Sequence, residues 1–289
     1  MGSFVKVIEA WKILKERHKK KVQDCGFGAV EHITIHSCVS RPLAAFLMQN
    51  LDTGSMTINF GRDKVIRITK DAIKLLFDFP NGKNPAPRPV EKSDNNFNKK
   101  FRRELGLNEK EYITMTKLFN RLRNLVQVED VASDNLAVKI FFLILFQKVV
   151  VAPHDDDRCH KVSPMVDSLD FVTMSQMDFC QLIVDEIKKG AEKWQNFPSA
   201  DKNIKAIEGL ALAPVIMYLD SLLLPSSNMG KQVPRARYME EKVLKASARK
   251  DVKNTDKPIN PDDYVFGKIT VRLFSFNFCY FHSSCHINC

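Results

Sequence analysis

The chain is 289 residues long, with 44% hydrophobic and 27% charged residues. These proportions are typical of a globular protein and exclude the disordered, collagen-like and disulfide-scaffold classes. Lysine and arginine outnumber aspartate and glutamate by 44 to 34, and the resulting net charge of +10 favours an anionic partner such as nucleic acid or an acidic protein.

The positive charge is unevenly distributed along the chain. Residues 1–24 carry a net charge of +4 and residues 225–260 a net charge of +5, whereas residues 25–224 carry only +1. The sequence therefore predicts basic terminal arms on a nearly neutral body, and we expect most contacts with phosphate to come from the arms.

Several features favour a reducing compartment, the nucleus or the cytosol. Charged residues, beginning with Lys6 and Glu9, interrupt the apolar residues at the N-terminus, so it lacks the core of a signal peptide. The seven cysteines are odd in number and scattered, which does not fit a disulfide framework. The most apolar run, residues 140–146, is too short to cross a bilayer and predicts a buried helix. We expect no membrane partner.

The first segment, residues 1–24, predicts a basic amphipathic helix. Val7, Trp11 and Leu14 recur on one face of this helix. That apolar face is a candidate docking surface for a partner protein. The candidate phosphate contacts in the same segment are Lys19, Lys20 and Lys21.

One small β-hairpin is predicted near residues 56–68. The segments 56–60 and 64–68 alternate apolar and polar residues, and Gly61-Arg62-Asp63 between them suits a turn. Helices are predicted on both sides of it, over residues 42–48 and from Thr69, as N-cap, through residue 77.

The rest of the chain up to residue 250 predicts further helices after a proline-rich loop or insertion at residues 81–100. Ser175 resembles the start of a capping box, and Pro214 should kink or split its helix. The predicted helices cover residues 116–126, 130 or 133 to 149, 175–189, 200–224 and 235–248. The fold class is therefore mainly α: an irregular helical domain over residues 25–250 with one small hairpin.

Residues 251–289 predict a polar linker followed by an atypical aromatic tail without caps or turns. We interpret this tail as the product of a misassigned exon or a truncated gene. Its metal-type residues fall within one short stretch and lack a second, distant pair of ligands, so we predict no metal site. These residues are Cys279, His282, Cys285, His286 and Cys289.

Two further basic clusters are candidate nucleic-acid contacts. In the first, Phe101 stands among cations, an arrangement that suits phosphate contact and base stacking. The second, before the last predicted helix, is weaker. The alternative is a solvated helix face of ordinary composition. The candidates are Lys99, Lys100, Arg102 and Arg103 in the first cluster and Arg235 and Arg237 in the second.

No motif predicts catalysis. Gly26-Phe27-Gly28 lacks the third glycine of a dinucleotide-binding loop, and the sequence contains no phosphate-binding Gly-Lys-Ser/Thr, nucleophile elbow or His-Glu-x-x-His motif. Cys159 and His160 are adjacent, whereas a nucleophile and its base normally meet across a fold. We expect no enzyme activity, no cofactor and no small-molecule substrate.

A series of short motifs follows in a characteristic order through residues 26–224. It begins with Gly26-Phe27-Gly28 and Arg41-Pro42-Leu43, continues through Leu75–Gly82, and ends with Phe141–Phe146 and Met217–Asp220. This order resembles the plant mobile domain, a family also named aminotransferase-like. It is also similar to transposon-derived grass domains that precede ubiquitin-like-protease modules.

The resemblance implies an all-helical, non-catalytic module of transposable-element origin that resides in the nucleus; the composition alone leaves the nucleus and the cytoplasm open. The name aminotransferase is not supported, because no Schiff-base lysine, phosphate cup or large α/β domain is predicted, and no protease triad is present. We therefore expect a module that binds DNA or RNA through basic arms. The alternatives are a protein–protein interaction scaffold and the N-terminal part of a truncated ubiquitin-like-protease-type protein.

Overall fold

Helices dominate the computed structural model, as predicted from the sequence. It describes residues 3–35, 39–61, 65–90, 99–108, 111–153, 159, 161–198, 206–222, 234–253 and 265–268. The helices are α1 (Val5–Ile13), α2 (Glu16–Val22), α3 (Arg41–Gln49), α4 (Lys70–Phe77), α5 (Lys99–Glu104), α6 (Met115–Leu125), α7 (Val131–Leu145), α8 (Ser163–Asp167), α9 (Phe179–Gln195), α10 (Leu212–Ser221), α11 (Arg235–Tyr238) and α12 (Glu241–Lys250).

Helix α7 is the centre of the N-terminal half. From Ile140 to Leu145 it is apolar on all sides, as expected for a helix surrounded by others, and α1, α2 and α6 pack against it. Asp130 caps its first turn by accepting a hydrogen bond of 2.8 Å from the Ser133 N–H. A π-helical turn, Phe146–Val150, extends the helix. Of the two predicted starts, 130 and 133, the structure has the first, with Asp130 as the N-cap.

A cluster of phenylalanine rings joins α7 to the elements around it. Phe27 lies at its centre, with ring centroids 5.1 to 6.0 Å from those of its neighbours. Gly26 precedes it with φ at +89°, in the left-handed region that favours glycine. The Gly26-Phe27-Gly28 motif therefore turns the chain into the core. The neighbouring rings are Phe79, Phe142, Phe146 and Phe179.

The predicted hairpin is confirmed and carries one more strand. Strands β1 (Leu51–Asp52), β2 (Thr57–Asn59) and β3 (Val65–Arg67) form an antiparallel sheet in the order β1-β2-β3. Ile58 pairs with Ile66 across the hairpin, and both side chains are buried.

The predicted loop at residues 81–100 begins with a paired segment. Strand β4 (Asn84–Pro85) runs parallel to β5 (Met177–Asp178). At Gly82 an added Cβ would lie 1.8 Å from the Gln176 carbonyl oxygen, so only glycine permits this approach. Residues 91–98 lie outside the described residues, and α5 begins at Lys99.

Two helix boundaries differ from the prediction. Helix α9 begins at Phe179 because Asp178, rather than Ser175, accepts the capping hydrogen bond from the Gln181 N–H at 2.8 Å. It continues to Gln195 instead of ending at residue 189.

The predicted helix 200–224 is shorter, and the one at 235–248 is divided. Residues 206–211 are not helical, and Gly209 has φ at +73°. Helix α10 begins after them, so Pro214 lies in its first turn, where the missing N–H needs no partner. The last predicted helix is divided into α11 and α12.

The N-terminal residues belong to the main core rather than to a separate arm. Val7, Trp11 and Leu14 are only 0, 6 and 3% exposed. The Trp11 ring lies 5.7 Å from that of Phe141 on α7. The prediction that this apolar face docks a partner protein is therefore wrong, because the chain itself covers it. The boundary predicted at residue 24 is also wrong, since α1 and α2 share the core of the following helices.

The predicted linker also begins inside the fold. Asp251 is fully buried, and it accepts hydrogen bonds from the Tyr218 hydroxyl and, at 2.9 Å, from the Gly267 N–H. The ring of Phe266, 3% exposed, packs 5.4 Å from that of Phe46. Residues 254–264 and 269–289 lie outside the described residues, and with them the five metal-type residues of the tail.

Candidate nucleic-acid interface

The three N-terminal lysines predicted to contact phosphate all lie on α2 and have partners within the chain. Their side chains differ in exposure, which is 71% for Lys20 and 20% for Lys19. Exposed pairs of this kind contribute little to stability, so the ammonium groups can exchange their partners for phosphate. The pairs and their N–O distances are Lys19–Glu16 (2.7 Å), Lys20–Asp24 (2.9 Å) and Lys21–Asn135 (2.9 Å).

The cluster on α5 is only partly on the surface. Phe101 is fully buried, and the Lys139 ammonium lies 5.8 Å from the centre of its ring. Its predicted role as a stacking platform is therefore wrong. Arg102 is also buried, at 9% exposure, so it is not offered to a large ligand. Arg103 is exposed and Lys99 half-buried, while the side chain of Lys100 lies outside the described residues.

Arg235 and Arg237 have different surroundings. The Arg235 side chain is 12% exposed and donates to both carboxylate oxygens of Asp220, with Nε 3.0 Å from Oδ2. This bidentate pair joins α11 to α10, so a role for Arg235 in contact with nucleic acid is corrected to a structural one. Arg237 stays exposed, with its guanidinium 5.5 Å from the centre of the Tyr238 ring.

Helix α6 carries a basic surface that the clusters selected from the sequence did not include. Between its apolar positions it holds Lys117 and Arg121, which are half-buried, and Arg123, which is exposed, and the helix has no acidic residue. Met115, Leu118 and the other apolar residues face the core. The signal was present in the sequence, since the cations fall between the apolar positions of a helical repeat. It was missed because the three cations are not consecutive.

Helices α1 and α5 flank this surface. Arg121 Nη2 donates to the Glu104 carbonyl oxygen on α5 at 3.2 Å. On the other side, the Arg123 guanidinium and the Lys6 ammonium of α1 lie 5.9 and 5.6 Å from the centre of the Phe119 ring. Cations from two separate stretches of sequence, α1 and α6, therefore meet at the Phe119 ring.

An exposed aromatic ring precedes α6. Tyr112 is 54% exposed, and its carbonyl oxygen accepts a hydrogen bond of 3.3 Å from Lys117 Nζ. Lys117 also bonds to Glu111 Oε1 at 3.0 Å. The Asn108 N–H and then Lys117 lower the pKa of the Glu111 carboxyl, so this anchor is charged at neutral pH. We call the surface formed by Tyr112, Lys117, Arg121 and Arg123 the α6 face.

Two of the cysteine thiols are unsuited to nucleophilic chemistry. Cys25 and Cys180 are buried, and burial raises the pKa of each thiol to about 12. Both are therefore protonated near neutral pH, whereas the thiolate is the reactive form.

The search for metal and membrane sites covers the described part of the chain alone. Within it, no three histidine, cysteine, aspartate or glutamate side chains come together as a metal site would require. None of its helices has the length and apolar character needed to span a bilayer.

The chain belongs to a protein family described as a domain of unknown function, DUF8566, whose model matches residues 2–214. The match begins before α1 and ends within α10, so α1 and α2 are part of the family's domain. No curated protein and no solved structure matches the chain. The resemblance to the plant mobile domain stays a prediction.

Proposed function

We propose that the protein is a non-catalytic module that binds nucleic acid through the α6 face. The observation that carries the proposal is an acid-free helix whose outward cations lie beside an exposed tyrosine. Cations that track phosphates and an aromatic ring on which a base stacks are the usual components of a nucleic-acid surface. The exposed cations Lys20 and Arg103 extend the same kind of contact beyond the face.

The geometry favours the α6 face over the clusters selected from the sequence. In those clusters Phe101 and Arg102 are buried, and Arg235 is held by Asp220. Arg121, by contrast, donates to a backbone carbonyl oxygen, which carries no net charge, and Lys117 is paired with Glu111 at the surface, where the ammonium can exchange this partner for phosphate.

The test is the salt dependence of binding to a fluorescently labelled oligothymidine, followed by anisotropy. The variant carries Lys117→Gln, Arg121→Gln and Arg123→Gln together. Each phosphate contact contributes roughly 0.7 to the slope of log affinity against log salt for a single strand, so losing three should reduce the slope by about 2.

A matched control removes three other cations and the same total charge. It carries Lys74→Gln on α4, Lys83→Gln in the segment after α4 and Lys188→Gln on α9. We expect this control to keep the slope of the unmodified protein. Equal losses in the two variants, or binding that does not weaken with added salt, would contradict the proposal and leave a protein-interaction scaffold as the better hypothesis.

The tyrosine gives an independent test. Stacking of one base contributes about 1–3 kcal/mol, so Tyr112→Ala should weaken oligothymidine binding by roughly fivefold to 150-fold. Tyr112→Phe keeps the ring and should bind nearly as well as the unmodified protein. An equal loss in both variants would show that the ring does not stack on a base.

On the resemblance to the plant mobile domain we also propose a transposable-element origin and a nuclear location. Both rest on the order of motifs in residues 26–224. Microscopy of the tagged full chain in plant cells tests the location, and exclusion of the protein from nuclei would contradict it.

A further inference from the structure

A pocket of about 320 Å³ lies beside α9, and no residue of the α6 face lines it. Its size is within the range of pockets that hold small molecules. It combines an apolar wall with a few charged groups, which is the usual composition of such a site. The apolar wall consists of Pro89, Val90, Val151 and Pro153.

The floor of the pocket is formed by two backbone segments that approach each other closely, at Gly190 and Gly209. An added Cβ at Gly190 would lie 2.3 Å from the Glu208 carbonyl oxygen, and one at Gly209 would lie 2.6 Å from that of Glu186. The Gly209 N–H also donates to the Ala152 carbonyl oxygen at 3.1 Å. Ala152 has φ at +41°, a strained conformation for alanine. Close backbone approaches and a backbone hydrogen bond therefore join the segments that carry Gly190 and Gly209.

A poorly compensated carboxylate lines this floor. The Glu186 side chain is 9% exposed, and its Oε1 lies 2.9 Å from Lys189 Nζ. Loss of solvent raises the pKa of Glu186, and Lys189 offsets this only in part. A second cation beside the carboxylate would restore the stabilisation that burial removes.

Lys161 also lines the pocket. It has no ion pair with any residue that the structure describes, and its carbonyl oxygen accepts a hydrogen bond of 3.1 Å from the Val90 N–H. That hydrogen bond fixes the backbone of Lys161 against the apolar wall.

We propose that this pocket binds a small aliphatic zwitterion of the amino-acid type. The ligand's ammonium group contacts Glu186, its carboxylate contacts Lys161, and its hydrocarbon part packs on Val90 and Val151. The site is independent of the α6 face, and its ligand is independent of any nucleic acid.

The experiment is isothermal titration calorimetry of the full chain with four probes that have equal numbers of carbon atoms. Leucine and 6-aminohexanoate are zwitterions with short and long separations between their charges, whereas hexanoate and hexylamine each carry one charge. Because a zwitterion makes two charged contacts and a single-charge probe makes one, we expect one of the zwitterions to bind about tenfold more tightly than either single-charge probe, a difference of about 1.4 kcal/mol.

Two variants assign the contacts. Glu186→Gln should weaken the zwitterion and hexylamine about tenfold and leave hexanoate unchanged, whereas Lys161→Gln should weaken the zwitterion and hexanoate and leave hexylamine unchanged. Lys188→Gln, at an exposed position on α9, is the matched control and should bind like the unmodified protein.

Thermal unfolding of each variant separates loss of binding from loss of folding. Should Glu186→Gln fail to fold, Lys161→Gln still decides the proposal, because Lys161 has no ion pair to lose in the described structure. The proposal is overturned if neither zwitterion binds, or if the folded Lys161→Gln protein binds the zwitterion as tightly as the unmodified protein.

Discussion

Two basic helices, α2 and α6, use their charges in opposite ways. On α2, Arg17 turns toward the corner between α6 and α7, where Nε lies 2.9 Å from Asp134 Oδ1. Its Nη2 donates to the carbonyl oxygens of Val126 and Val128 at 3.2 and 2.7 Å. On α6 the cations lie on the outer side, around Phe119 and Tyr112. The cations of a basic helix can therefore hold neighbouring helices together, as a clamp, or form a surface that is available to a ligand. Which of the two they do depends on whether they have partners inside the fold.

His18 adds to the difference between α2 and α6, because it lies beside the contact between Arg17 and Asp134. Its side chain is fully buried, and Nδ1 accepts a hydrogen bond of 3.2 Å from the Lys15 N–H at the start of α2. Nε2 lies 2.9 Å from Asp134 Oδ1, although its N–H does not point at that oxygen. Burial lowers the pKa of His18 more than Asp134 raises it, so the ring is neutral near pH 7.

The largest expected effect on stability is that of Arg17→Met. The substitution leaves the Asp134 carboxylate and two carbonyl oxygens without their donor, which we expect to cost about 2–3 kcal/mol of unfolding free energy. Urea denaturation measures it. Lys20→Met, at the exposed side of the same helix, is the control and should change stability by less than about 0.5 kcal/mol. Similar losses in both would show that α2 is not a clamp.

The next effect is a dependence on pH. The pKa of His18 is lower in the folded protein than in the unfolded chain, so the unfolded chain binds more protons below about pH 6.5. Stability should therefore fall as the pH drops from about 6.5 toward the folded pKa, by at most about 1.4 kcal/mol per pH unit. A proton on Nδ1 would also remove the acceptor for the Lys15 N–H.

Denaturation between about pH 7.5 and 5.5 measures this dependence. His18→Gln should flatten the curve, whereas His32→Gln, at an exposed position, should leave it unchanged. Asp134 titrates outside this window. Although its partial burial favours the protonated form, the hydrogen bond from Arg17 and the neighbouring charges lower its pKa overall. An identical pH profile in the His18→Gln protein would remove His18 from the explanation.

Local rules account for the elements that the sequence predicted well. Helix α6 begins and ends within one residue of its predicted bounds, and α7 begins after the predicted cap Asp130. The hairpin follows from alternation around Gly61. In these places the determining contacts are between residues close in sequence, so a single chain segment contains the information.

The misjudged residues depend on partners that are distant along the chain. The apolar face of Val7 and Trp11 would suit a docking surface or a place in the core. It belongs to the core because α7 packs against it. Asp251 is polar in a polar stretch, yet Tyr218 and Gly267 hold it inside. The pocket beside α9 joins segments from residues 89 to 209, and no local pattern brings them together.

The smallest expected effect is that of Arg123→Gln on stability, and it tests the other half of the comparison. The Arg123 side chain is exposed, and the Lys6 ammonium remains 5.6 Å from the Phe119 ring when the guanidinium is removed. The loss of unfolding free energy should therefore stay below about 0.5 kcal/mol, while the salt slope of oligothymidine binding falls by roughly 0.7. Arg17→Gln should instead lose much of the unfolding free energy and leave the salt slope of oligothymidine binding unchanged. Its binding is measured at a temperature at which the variant remains folded. If Arg123→Gln destabilised the protein as much as Arg17→Gln, the cations of α6 would be structural like those of α2, and the distinction between clamp and surface would fail.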